Sequence, residues 1–134
     1  MTDERTERRL QDLVGFAAEA RYITDHGRAA YVADTPAGAL LRNAGERVLI
    51  KIATVVERLS EDYRAAHADV DWVAIMRMRN LVAHHYDKVN HDLMWTALVR
   101  RVPSLLQALD LPRGEPPRES AEAPPLGTEG LSHP

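Results

Sequence analysis

Arg77-Met78-Arg79-Asn80-Leu81-Val82-Ala83-His84-His85-Tyr86 sets guanidinium groups, an amide, imidazoles and a phenol within a few helical turns, beside the apolar run Trp72-Val73-Ala74-Ile75-Met76. Arginine suits phosphate because it carries a permanent charge on a planar fork of donors. Histidine is the side chain that takes and gives protons near neutral pH. Together they are a minimal kit for phosphodiester chemistry without a metal. On an unbroken helix, Arg79 and His84 stand about 7.5 Å apart along the axis and about 140° apart in azimuth. A rigid wheel does not converge them. Two features within one chain could: a helix that ends near His84 frees the imidazole, and the long arginine side chain sweeps several ångströms. A third route is a dimer in which two copies of this helix meet and line one cleft. Arg79 and Tyr86, seven positions apart, share a face if the helix continues.

Each of these residues also has a plainer use. His84 and His85 at a helix C-terminus would face the negative end of the macrodipole favourably. Arg77 serves equally as a solvated charge, Tyr86 as a packing aromatic, and Trp72 and Trp95 as core or dimer-interface residues. His84, His85, Asp87 and His91 are the residues to weigh as metal ligands. Asp87 and His91 have i, i+4 spacing but straddle an expected helix break, and no His-x3-His pair exists, so neither a metal nor another cofactor is expected.

The elements that must position this stretch read as helices throughout. From Glu4 to Tyr31, Leu10, Leu13, Val14, Ala17, Ala20 and Arg21 fall on one helical stripe, with a fray or bend expected at His26-Gly27. Asp34-Thr35-Pro36 is a start signal, with Asp34 or Thr35 as N-cap and Pro36 in the first turn. A longer helix is then expected from Ala37 to about Tyr63, its wide apolar face marking a central position in the fold. Within it Glu46 is either a surface carboxylate paired with Arg42 or Lys51, or a group that orients an Arg or His of the site from a facing helix. Asp71 is the expected cap of a helix running from Trp72 to about His84. Asn90 is the expected cap of another, from about His91 to Leu109, which Pro103 should bend or split. The tail holds Pro112, Gly114, Pro116-Pro117 and Pro124-Pro125 with few large apolar groups, and disorder is expected there. The expected architecture is an all-α antiparallel bundle of four to five helices over residues 1–111, followed by a Pro/Gly-rich tail over 112–134.

Composition fits that picture. A chain of 134 residues suffices for one core and is too short for two. It has no cysteine, which removes disulfides and thiolate chemistry and accords with a reducing cytoplasm, the expected address. The charged start Met1-Thr2-Asp3-Glu4-Arg5 leads into no apolar run of signal-peptide or membrane-span type. A net charge of −3 argues against coating nucleic acid through bulk electrostatics but leaves a local basic site open.

Arg79-x4-His84-x-Tyr86, with Asn80 after the arginine, resembles the signature of HepT-type toxins, ribonucleases of the HEPN superfamily that belong to type VII toxin-antitoxin systems. Arg42-Asn43-Ala44-Gly45-Glu46, Asp71-Trp72, Tyr86-Asp87-Lys88-Val89-Asn90 and Trp95 extend the resemblance over roughly residues 8–109 by order and spacing. Asp71 stands where such proteins often have proline, and the Pro-rich tail is extra. The resemblance implies a HEPN-like homodimer with a metal-independent RNA-cleaving site between protomers. His84 would be the general acid or base and Arg79 the stabiliser of phosphate charge. Asn80 and Glu46 would be supporting residues, and Arg77 and Lys88 would steer the RNA backbone. It further implies a minimal nucleotidyltransferase antitoxin of the MntA type that transfers AMP to Tyr86. The rival reading is a non-catalytic helical module that binds a nucleotide or serves as adaptor for such a nucleotidyltransferase.

Overall fold

Residues 3–84 and 90–113 are described by the structure, a computed structural model. Among them every regular element is helical. The first helix, α1 (Glu4–Thr24), starts where the Asp3 carboxylate accepts the Thr6 N–H at 2.7 Å, and that hydrogen bond holds the Asp3 carboxyl below its usual range. Leu13, Ala17, Ala20 and Ile23 form its buried stripe, with Leu10 and Val14 packed at the margin. Arg21, placed on that stripe by spacing alone, is exposed. The expected interruption is present: Gly27 adopts φ +87°, and the chain restarts as α2 (Arg28–Val32), which carries Tyr31 into the core at 0% exposure.

Thr35 Oγ1 accepts the Gly38 N–H at 3.0 Å to open α3 (Pro36–Arg58), so Thr35 rather than Asp34 is the cap. This helix is the central one, packing against α1, α2 and elements further along the chain through Val48, Leu49, Ile52, Ala53, Val55 and Val56. It stops earlier than its apolar period implies. Leu59 turns extended, and Ser60 Oγ captures the Tyr63 N–H at 3.1 Å, starting a separate α4 (Glu61–Ala66). A serine side chain that offers the backbone a cap competes with helix continuation, which is why the single helix expected to reach Tyr63 is two.

Asp71 caps α5 (Trp72–His84) through Oδ1 and the Ala74 N–H at 3.0 Å. Trp72 Nε1 donates to the Arg64 and His67 carbonyls at 3.0 and 3.1 Å, fastening the α4–α5 connection. Asn90 Oδ1 accepts the N–H groups of Asp92 and Leu93 and begins α6 (His91–Thr96). A π-helical segment, Ala97–Arg101, then leads into α7 (Val102–Ala108). The Val102 N–H reaches back five residues to the Ala97 carbonyl. Pro103, next along, has no N–H to give, so the wide turn falls just ahead of the proline expected to split the helix. Leu98, Val102, Leu105, Leu106 and Leu109 of this last rod close the core against α1 and α3. The fold is thus an all-α bundle, as expected, with the expected long helices subdivided. Residues 114–134, nearly all of the expected tail, lie outside the described residues.

Candidate active site

As far as His84 the central stretch is carried by α5, which runs unbroken from Arg77 through Arg79 to His84. Of its residues only Val82 is buried. Ile75, Met76, Met78 and Leu81 pack partway onto the core, while Val73 stands 60% exposed. Arg77, Asn80 and His84 are exposed and Arg79 is half-buried. His85, Tyr86, Asp87, Lys88 and Val89 lie outside the described residues, and with them the expected modification site and one of the two expected RNA-steering cations.

Arg79 has a partner that the sequence did not single out. Its Nη1 lies 3.3 Å from Oε2 of Glu57, on the facing helix α3. Since α5 is continuous from Arg79 to His84, the axial offset of about 7.5 Å and the turn of about 140° between them hold. The fork therefore leans toward α3, while His84 is exposed on α5. The helix end near His84, one of the two features that could converge them within one chain, would fall at residues 85–89, which lie outside the described residues.

Glu46 occupies the same face of α3 as Glu57, eleven residues and about 16.5 Å away along the axis. It is half-buried, and burial pushes its carboxyl above the usual range, against the pull of His91 and Arg42. The hydrogen-bonded pairs expected for Glu46 do not form. Arg42 Nη1 donates to the Tyr31 and Ala33 carbonyls at 3.0 and 2.7 Å, closing the end of α2, and Lys51 Nζ donates to Glu19 at 2.9 Å. The acid set against the motif arginine is thus Glu57, and Glu46 faces the start of α6 instead. Beside it the Tyr31 phenol is pushed up to about 12, first by burial and then by the Glu46 charge, and its hydroxyl has no hydrogen-bond partner among the described residues.

The raised Glu46 carboxyl makes a stability prediction. A folded-state pKa above the unfolded one means that the native state prefers the protonated acid. That contribution is full below the unfolded value and is lost as pH rises through the folded one. Glu46→Gln is therefore expected to melt at a higher temperature than the parent near pH 7, with the two converging as pH falls below the ordinary glutamate range. Thermal denaturation at a series of pH values checks this, and a variant destabilised at pH 7 would contradict it.

Among the described residues no group of three or more His, Asp or Glu could hold a metal ion, and no helix is long and apolar enough to cross a membrane. A cavity of about 420 Å³ opens between α3, α5 and the α6–α7 rod, lined by Ile52, Ile75, Met78 and Leu105 with Arg100 and Arg101. Neither Arg79 nor His84 lines it. Glu57 was missed because its pairing is tertiary. The only available signal was its place on the Glu46 face of α3, three turns further on.

A family model described as "Ribonuclease HepT-like" matches residues 18–111. A protein of Methanocaldococcus jannaschii named "Putative RNase" is 28% identical over 64 residues, 48% of this chain and 53% of its own length. A second so named, from Caldanaerobacter subterraneus subsp. tengcongensis, is 26% identical over 87 residues, 65% of this chain and 78% of its own. The chain thus spans about half of the first of these relatives and over three quarters of the second. No solved structure matches.

Proposed function

Because the chain belongs to the HepT-like ribonuclease family, we propose that it is a metal-independent endoribonuclease, the toxin of a toxin-antitoxin pair. The observation that carries this reading is an unbroken helix within the matched region that holds both Arg79 and an exposed His84, five residues apart. In the proposed reaction the ribose 2′-OH loses its proton and attacks the neighbouring phosphorus, and the bond to the 5′-oxygen breaks as that oxygen gains a proton. His84 serves as general base or acid at one of these transfers. Arg79 meets the charge that builds on the non-bridging oxygens. Asn80, exposed one residue on, either holds phosphate or fixes the imidazole, and Arg77 and Lys88 attract the backbone.

The site forms between two copies of the chain. Two features of α5 support this: it is sparsely covered in one copy, and its Arg79 and His84 diverge on the helix wheel. The antitoxin is a minimal nucleotidyltransferase of the MntA type that transfers AMP to Tyr86. The added phosphate then competes for the arginine that would otherwise engage RNA.

The test is incubation of purified protein with RNA in excess chelator, alongside Arg79→Ala. Chelator-resistant cleavage leaving 2′,3′-cyclic phosphate ends, and lost in the variant, is the expected result. Intact RNA together with nucleotide binding would instead identify a non-catalytic module that partners the nucleotidyltransferase.

A further inference from the structure

We propose that Glu57 is a positioning residue for Arg79, its carboxylate drawing one end of the guanidinium toward α3 so that the remaining donors are left to meet a phosphate. The inference rests on the ribonuclease reading above and adds a member to that site. Three ion pairs join side chains among the described residues: Arg28 with Asp92, Lys51 with Glu19, and Arg79 with Glu57. Only the last involves the central stretch, and it ties α5 to α3. Its side chains are 33% and 51% exposed, so solvent screens the attraction and the pair adds little to stability. Its consequence is orientational. A guanidinium carries five N–H donors in one rigid plane. The Glu57 carboxylate, 3.3 Å from Nη1, is an ion-pair contact at one end of the guanidinium and leaves the other nitrogens for a second anion. An ammonium is a single point charge with no second group of donors to leave for a phosphate, so a lysine in place of Arg79 would not answer to Glu57 in this way.

This sets the sign of each effect. Removing the carboxylate adds net positive charge near the RNA, so KM should stay level or fall. The fork then samples orientations that do not fit the transition state, so kcat should fall about tenfold. Glu57→Gln keeps the length and one acceptor oxygen and should lose less than Glu57→Ala. In an Arg79→Lys background the alanine change should lower kcat no further.

The experiment measures kcat and KM for RNA cleavage in the parent, Glu57→Ala, Glu57→Gln, Arg79→Lys and the Arg79→Lys/Glu57→Ala double variant, with melting temperatures alongside. The expected result is the graded kcat loss without a KM rise, at nearly constant melting temperature, and its disappearance in the lysine background. Unchanged or increased kcat in Glu57→Ala, in a parent that cleaves RNA and needs Arg79, overturns this inference alone. So does an equal loss in the lysine background. A parent that leaves RNA intact overturns the ribonuclease reading and this inference with it.

Discussion

Replacing His84 by alanine should lower the rate of RNA cleavage by about a thousandfold, the usual scale for loss of a positioned general acid or base. The size of this effect, set against how little else changes, is what makes it decisive. His84 is exposed, so its removal opens no cavity. The plainer use of the residue, as a helix-terminal cation facing the macrodipole, makes a different forecast. Loss of that interaction costs about 0.3–1 kcal/mol of stability and leaves chemistry alone. Single-turnover cleavage and thermal melting of the same preparation separate the two. A rate loss of two to three orders of magnitude at near-parental stability assigns the imidazole to the reaction. A rate within twofold of the parent, with a small drop in melting temperature, assigns it to the helix end. The pH profile adds an independent readout, because a general acid or base contributes a limb that the alanine variant should lack.

What the sequence made legible was local. Thr35, Asp71 and Asn90 cap helices within three residues of themselves, and the interruption at His26-Gly27 needs only a glycine with positive φ. Each of these signals lies in the few residues that form it. The errors arise where a local signal was outvoted or a distant partner decided. The apolar period of α3 continues smoothly through Val55, Val56, Leu59 and Tyr63, and it hid the break that Ser60 makes by capping Tyr63. Pro103 was expected to bend or split the last helix, which is indeed divided there, with the proline in the first turn of α7 and the π turn at Ala97–Arg101 just ahead of it. Arg42 and Lys51 looked like partners for Glu46 because they are close in sequence, whereas the fold gives each a target on another helix or turn. The candidate site divides in the same way. That Arg79 and His84 share one helix was readable from spacing, but that Glu57 stands opposite the arginine depends on how α3 and α5 are set against each other. A helical wheel holds no information about that register.

Glycine 38 carries the other large prediction, and its sign runs against helix propensity. Exchanging a helical glycine for alanine ordinarily gains about 1 kcal/mol, because glycine loses more backbone freedom on folding. At Gly38, in the first turn of α3, an added Cβ would fall 2.2 Å from the Ala33 carbonyl oxygen, 3.0 Å from Arg42 Nη1 and 3.1 Å from the Ala30 carbonyl oxygen. The nearest of these is backbone, so no rotamer change relieves it. Movement would also disturb the Arg42 bonds that close α2 and the Thr35 cap on the Gly38 N–H. Gly38→Ala is therefore expected to destabilise the protein by about 3 kcal/mol, the upper range for overpacking. For a domain of this size that lowers the melting temperature by roughly 10–20 °C. Gly15 supplies the control within the same chain, since it lies mid-helix in α1, is exposed, and would place its Cβ in open space. Gly15→Ala should raise the melting temperature by a few degrees. If both variants melted above the parent, the close approach of the α2–α3 turn to the start of α3 would be wrong, and the seating of Tyr31 beneath Glu46 would be in question with it.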